Sequence, residues 1–350
     1  MIANTAESLR RGQLVALPTE TVYGLAMRPG DANAVAKAQA LLGSNRGRPF
    51  ATYLADASAA EALADVSDPR VGRLCARYWP GPLALWLPSR SGGTIELCVP
   101  AHDFTRAVIR AVGEPVWFAP LKVGNEAPLC DPATIEARFG AQLDLLLDAG
   151  PTPLGNTATV VRCTGAELEV LHEGILSRAE ILATAASTVL FVCTGNTCRS
   201  PLAEVLAREV VANALNLSVG RVAARGLRFQ SAGTGTMNGV PASEGSMAAA
   251  AEVGLDLTSH SSTQLQKDLA LKATRIHCLS NSHLLTLLDL VPEVEDRVSL
   301  LRPDNEDIAD PYGGNLKTYR QARDQIAAAV TSRLPEWLAL LPRIAQEPSR

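Results

Sequence analysis

Val192-Cys193-Thr194-Gly195-Asn196-Thr197-Cys198-Arg199-Ser200-Pro201 decides the fold of the second half of this chain. The run before it, Thr188-Val189-Leu190-Phe191-Val192, is short, apolar and rich in β-branched residues. That pattern predicts a strand buried on both faces of a parallel sheet. The run after it, Pro201 to Val210, predicts a helix with Ser200 as N-cap, Pro201 in the first turn and Glu204 completing a capping box. The unit is therefore strand, tight loop, helix, with a cysteine at the strand's end and an arginine at the helix's start.

This arrangement suits a dianion. Successive loop amides form an anion-binding nest, and the helix adds its positive end. The Arg199 fork grips two phosphoryl oxygens at once. Thr194, Gly195, Asn196, Thr197, Cys198 and Ser200 supply the phosphate-binding and supporting positions. Cys193 lies beneath the phosphorus as nucleophile, with Ser200 donating to its sulfur and Asn196 holding the loop's shape. A free thiol titrates near ~8.5, and a helix N-terminus with a neighbouring cation predicts a value of ~7 or below. The thiolate then forms a phosphocysteine. The leaving group needs an acid. Asp310, in Asp307-Ile308-Ala309-Asp310-Pro311-Tyr312-Gly313-Gly314, sits in a loop marked by proline and two glycines. It would protonate the leaving group and then deprotonate the hydrolytic water.

These residues carry a resemblance. Cys-x5-Arg-Ser before a helix, with Asp-Pro-Tyr-Gly-Gly far downstream, resembles the low-molecular-weight protein tyrosine phosphatase family. Gln230-Ser231-Ala232-Gly233-Thr234, Gly254 to His260, and Asp310 to Ala328 agree with it. The resemblance covers about 187–340 and implies a Rossmann-like four-stranded parallel sheet, the phosphate-binding loop following its first strand. Thr197, where tyrosine phosphatases usually carry an apolar β-branched residue, and Ser280-Asn281-Ser282-His283 resemble the protein-arginine phosphatase branch. A hydroxyl there narrows the pocket and can orient water or a guanidinium nitrogen. Tyr312 departs from the Phe common in that branch and keeps phosphotyrosine open as a second substrate. The implied partner is a phosphorylated protein, and no cofactor is implied for the phosphatase. Arsenate reduction needs two further downstream cysteines, and only Cys278 follows the loop. No Gly-Lys-Ser/Thr occurs, which excludes a Walker loop.

With 350 residues, 47% of them hydrophobic, the chain is long enough for two domains with real cores. A net charge of −4 gives no global drive toward nucleic acid. No run approaches the ~18 apolar residues that span a bilayer, and Met1 to Glu7 lacks a signal-peptide pattern, so no membrane role is expected. Seven scattered cysteines, an odd number, read as reduced thiols in a cytoplasmic protein. Without a Cys-x2-Cys pair or a ligand cluster, no metal site is expected.

In the first half a short helix, Thr5 to Arg10, and a strand, Leu14 to Leu17, lead into Pro18-Thr19-Glu20-Thr21-Val22-Tyr23-Gly24-Leu25-Ala26. By spacing alone this hydroxyl-rich loop reads as a turn. It also resembles the opening motif of YrdC-like threonylcarbamoyl-adenylate synthases. Arg46-Gly47-Arg48-Pro49, Tyr78 to Leu83, Val99 to His102, Asp148 to Gly155, Ala158 to Val161 and Leu171 to Gly174 keep that family's order over about 5–182. The resemblance implies a twisted mixed α/β sheet around a groove, with Thr19, Thr21, Tyr23, Arg46 and Arg48 as ligand candidates. It implies ATP, threonine and bicarbonate as cofactors only if the domain is active. Cys98, Ala158 and His172 stand where the family has arginine, serine and arginine, and its Ser-Ala-Asn motif is replaced by Trp117 to Asn125. These losses remove charge-assisted hydrogen bonds worth ~1.5–3 kcal/mol each. A degenerate domain that still binds a nucleotide, RNA or the phosphatase's substrate is expected. Synthase activity for tRNA modification, alone or in a bifunctional enzyme, is the alternative.

Two α/β domains are therefore expected, 1–182 and 188–345, joined by a linker at 183–187. The second half further predicts strands at Val222 to Phe229, Thr274 to Leu279 and Val298 to Leu300. Helices are predicted at Ser243 to Val253, Asn281 to Leu290 and Leu316 to Leu341, the last open to a break at Pro335. His260, His277 and His283 read as structural, Trp79 and Trp86 as core. Cys198 reads either as packing or as a redox partner of Cys193.

Overall fold

A computed structural model describes residues 1–42, 50–122 and 126–341. The chain divides into two compact units, one ending at Ala185 and the second starting at Ala186. The linker expected at 183–187 is not a free segment. Ala183 to Ala185 complete a helix and Ser187 opens a strand, so the boundary narrows to Ala186. The small residues that looked featureless in sequence are packed, with Ala185 at 1% exposure.

In the first unit the described strands are β1 (Val15–Leu17), β2 (Gly24–Met27), β3 (Ala51–Tyr53), β4 (Leu83–Pro88), β5 (Thr94–Cys98), β6 (Val116–Pro120), β7 (Leu145–Leu146), β8 (Thr159–Arg162) and β9 (Glu169–His172). They form a mixed sheet in the order β7-β1-β2-β6-β3-β5-β4-β8-β9. Its helices are α1 (Ile2–Arg10), α2 (Ala32–Leu42), α3 (Ala60–Leu63), α4 (Pro69–Tyr78), α5 (Asp103–Val112), α6 (Pro132–Phe139) and α7 (Arg178–Ala185). Start signals are local. Asp68 caps α4 by accepting from the Arg70 amide, with Pro69 in the first turn, and Asp131 and Pro132 repeat the device at α6. Core forms on both sides of this sheet, one part around Phe118, Val108 and Leu17, another around Tyr23, Met27 and Ile135.

The second unit has β10 (Ser187–Cys193), β11 (Leu227–Gly233), β12 (Arg275–Cys278) and β13 (Val298–Leu300) in the order β11-β10-β12-β13, every pair parallel. Its helices are α8 (Arg199–Ala214), α9 (Glu244–Ala251), α10 (Lys267–Lys272), α11 (Asn281–Leu290) and α12 (Leu316–Leu338). All seven residues of β10 are buried, as a strand covered on both faces requires. The strand order reverses direction at β10. The crevice at the carboxyl ends of β10 and β12 is thus the topological switch point where open α/β sheets bind ligands.

Two elements differ from the sequence reading, and a third, α12, resolves a point it left open. The second strand is β11, five residues later than Val222, because 222–226 is a turn ending at Gly226 with φ 98. Residues Gln230 to Gly233 therefore extend alongside β10 up to the loop. α8 begins at Arg199, so Ser200 lies inside its first turn rather than at the cap, and Cys198 caps without a side-chain bond. Glu204 completes no capping box; its carboxylate accepts from Ser231 Oγ at 2.6 Å and pairs with Arg208. α12 runs through Pro335 to Leu338, its last turn anchored by fully buried Trp337. Among the described residues no helix is long and apolar enough to cross a membrane.

Candidate active site

Cys193 ends β10 and Arg199 opens α8, so the six-residue step between them folds over the carboxyl edge of the sheet. The turn depends on Asn196, at φ 51 in the left-handed region that asparagine tolerates. Both ends of its side chain are engaged: Nδ2 donates to Ser200 Oγ at 2.8 Å, and Oδ1 accepts from the Thr263 amide at 2.8 Å. Its carbonyl lies 2.7 Å from His260 Nε2. Beside it, a Cβ on Gly233 would stand 2.4 Å from the Thr194 carbonyl oxygen, so only glycine lets β11 approach this closely.

Cys193 is 2% exposed. Its sulfur lies 2.9 Å from Ser200 Oγ and accepts from the Asn196 amide at 3.2 Å. Burial pushes the thiol above its ordinary value; the Ser200 hydroxyl, the Arg199 charge and the Asn196 amide pull it down. The sequence reading has the helix N-terminus and the neighbouring cation lower the thiol. In the structure desolvation is the larger effect, because the sulfur sits beneath the loop rather than at its mouth.

Arg199 is 6% exposed. Nη1 donates to the Ile308 carbonyl at 3.1 Å and Nη2 to Asp310 Oδ2 at 2.7 Å. Its buried Nε has no protein partner, an unfilled donor at the place where an anion is expected. Asp310 is half exposed, and its other oxygen accepts from the Tyr312 amide at 3.2 Å. A cavity of about 360 Å³ brings Cys193, Arg199 and Asp310 together, with Thr194, Gly195, Thr197 and Cys198 from the loop and Tyr312, Thr236 and Val240 from its surroundings. Cys198 turns its thiol to Ser243 Oγ at 3.2 Å and lies 3.7 Å from Thr197 Oγ1. All seven cysteines are free.

Sequence reasoning took His260 and His283 as structural without locating them at the loop, and it missed Thr263. Their partners lie 64 to 89 residues away in sequence. The local signals were the Gly254 to His260 stretch and the Ser280 to His283 stretch, each carrying the family resemblance.

In the first unit, Thr19 Oγ1 donates to the Val22 carbonyl at 2.6 Å, accepts from the Thr21 and Val22 amides, and lies 2.7 Å from Thr21 Oγ1. Tyr23 Oη donates to the Gly150 carbonyl and accepts from the Ala149 amide. These hydroxyls build the turn. Glu20, between them, accepts from the Ala101 amide, and burial raises its carboxyl. Arg46 and Arg48 lie outside the described residues.

A cysteine, an arginine and an aspartate around one cavity at the switch point of a parallel sheet define a phosphate-handling site. Residues 188–343 match the family model described as low molecular weight phosphotyrosine protein phosphatase, and the chain belongs to this family through its second unit. It is 33% identical over 154 residues to a protein-arginine-phosphatase of Geobacillus stearothermophilus, covering 43% of this chain and 95% of that one. It is 30% identical over 154 residues to a probable low molecular weight protein-tyrosine-phosphatase of Ralstonia nicotianae, covering 44% of this chain and 97% of that one. Residues 7–174 match the Sua5, YciO and YrdC family model, described as telomere recombination. There the chain is 28% identical over 190 residues to a threonylcarbamoyl-AMP synthase of Bacillus subtilis, covering 51% of this chain; it spans only 55% of that relative's length.

Proposed function

We propose that the second unit is a cysteine-dependent protein phosphatase acting first on phosphoarginine and second on phosphotyrosine. The observation that carries this reading is the meeting of Cys193, Arg199 and Asp310 in one cavity. The Cys193 thiolate attacks phosphorus, the P–S bond forms, and the P–N or P–O bond to the protein side chain breaks. Asp310 gives its proton to the departing nitrogen or oxygen. Water then attacks phosphorus, Asp310 takes its proton, the P–S bond breaks and inorganic phosphate leaves. Arg199 and the loop amides stabilise the charge on the transferring group in both steps. Thr197, which lines the cavity, supports the phosphoarginine preference, as does the similarity to an arginine phosphatase. A panel of phosphoarginine, phosphotyrosine and phosphoserine peptides on the full-length protein tests it. Turnover of phosphoarginine above phosphotyrosine, lost in Cys193→Ser and shifted toward phosphotyrosine in Thr197→Ile, is expected. No shift in Thr197→Ile removes the basis for the arginine preference.

For the first unit we infer a degenerate site that does not make threonylcarbamoyl-adenylate. The favouring observation is Cys98, 1% exposed at the end of β5, where the resemblance implies an arginine for a phosphate. A buried neutral thiol supplies no such charge.

A further inference from the structure

One buried imidazole touches the phosphate loop and has no part in the scheme above. His283, in the first turn of α11, is 3% exposed. Its Nε2 lies 2.8 Å from Thr194 Oγ1 and its Nδ1 2.8 Å from Ser280 Oγ. Ser282 Oγ lies 2.8 Å from Ser280 Oγ. Thr194 directly follows the nucleophile and lines the cavity. Its carbonyl accepts from the Gly235 amide at 3.0 Å. The residue next to Cys193 is thus held on two sides, by a glycine amide on its main chain and by an imidazole on its side chain.

Ser280 supplies an independent sign. It occupies the N-cap of α11, where a serine ordinarily accepts from a backbone amide and so stabilises the helix. Here it makes no side-chain cap bond. Its oxygen faces the imidazole instead. A local rule broken without local gain marks a site where another requirement dominates. The charged groups facing the ring are Arg199 from α8 and Asp307 and Asp310 from the loop after β13. Burial, then Arg199, brings the imidazole down to about 4 against the two aspartates. Above that pH the ring is neutral, with one donor and one acceptor for its two hydroxyl partners.

We propose that His283, held by Ser280, is a positioning residue that clamps the Thr194 hydroxyl and so fixes the first turn of the phosphate loop. It acts through Thr194 and does not touch the substrate. The proposal rests on the phosphatase reading, and inorganic phosphate binding separates the two. Full-length wild type, His283→Ala, His283→Gln, Thr194→Val and the double variant His283→Ala with Thr194→Val are titrated with inorganic phosphate by calorimetry and assayed with para-nitrophenyl phosphate. A lost hydrogen bond of about 1 kcal/mol predicts phosphate affinity and kcat/KM reduced about fivefold in His283→Ala. His283→Gln, whose amide reaches the same hydroxyl, is expected to recover most of the loss. Thr194→Val is expected to reproduce it, and the double variant to be no worse than either single, the signature of one shared interaction. If His283→Ala does not fold, Ser280→Ala, which releases the ring without removing it, carries the same expectation. Phosphate affinity within twofold of wild type, or additive losses in the double variant, overturns the proposal. Wild type that binds phosphate without turnover defeats the phosphatase reading alone, and the titration still decides the role of His283. Wild type that binds no phosphate overturns both.

Discussion

Cys193 sits between opposing influences. Burial favours its neutral thiol, whereas Ser200 Oγ at 2.9 Å, the Asn196 amide at 3.2 Å and Arg199 favour the thiolate. Among these Ser200 has the largest counter-effect. It is positioned by Asn196, whose amide group donates to the same hydroxyl oxygen, and as a donor the hydroxyl has the sulfur at 2.9 Å against the Ala232 carbonyl at 3.5 Å. A hydrogen bond to a charged group contributes about 1.5–3 kcal/mol. Ser200→Ala is therefore expected to move the Cys193 titration to higher pH and to slow its alkylation about tenfold or more at a fixed neutral pH. Peptide mapping of iodoacetamide uptake at Cys193 across pH measures this. An unchanged profile would show that the hydroxyl does not support the thiolate. The role of Ser200 at the sulfur was legible in sequence because it depends on the short separation of the two residues. The direction of the thiol's titration was not, because sequence spacing carries no information on how deeply a sulfur is covered.

At the scale of elements, β12 and α12 meet in a buried aromatic cluster. Trp337 packs with ring centroids 5.8 Å from Phe191 and 5.2 Å from Phe229. Its indole N–H donates to His277 Nε2 at 3.0 Å, so the His277 proton is on Nδ1 and faces Ser299 Oγ at 3.0 Å. A second proton on Nε2 would set two donors against each other. Burial, reinforced by Arg333 and Arg275, brings His277 down to about 3. The unfolded chain's histidine takes a proton near pH 6.5 and the folded one does not. Stability is thus complete above about pH 6.5 and falls as pH drops toward 3, by up to about 1.4 kcal/mol per pH unit. His283, down to about 4, adds to the loss in the upper part of that window. Urea melts between pH 7 and 4 are expected to show this slope and His277→Gln to flatten it; an equal slope in the variant would contradict the assignment. β10, its loop and α8 were legible because apolar run, turn chemistry and helix start are all local. The start of β11 was not, since the Val222 to Ala224 run is as apolar as a strand. The run of α12 past Pro335 was legible; that it does not break there was not, since this depends on the tertiary anchorage of Trp337.

At the scale of the molecule, two units carry two family resemblances with different consequences. In the second, the structure gathers Cys193, Arg199 and Asp310 around one cavity, while Ser200 and Glu204 take places other than the cap and capping box. In the first, the fold is retained, but the hydroxyls of Thr19, Thr21 and Tyr23 are engaged within the protein. Arg46 and Arg48 lie outside the described residues. Incubation of full-length protein with threonine, bicarbonate and ATP is accordingly expected to release no pyrophosphate above background; threonine-dependent release would restore the synthase reading. That difference between the halves was legible only in part, because a family motif marks a fold more surely than it marks which side chains remain free. In the proposed reaction Cys193 carries the phosphoryl group. The direct measurement is acid quenching of Asp310→Asn during turnover of para-nitrophenyl phosphate, followed by mass spectrometry of the peptide containing Cys193. One phosphoryl group on that cysteine is expected, absent in the Cys193→Ser, Asp310→Asn double variant. Phosphate release by wild type with no label at Cys193, and undiminished in Cys193→Ser, would contradict it.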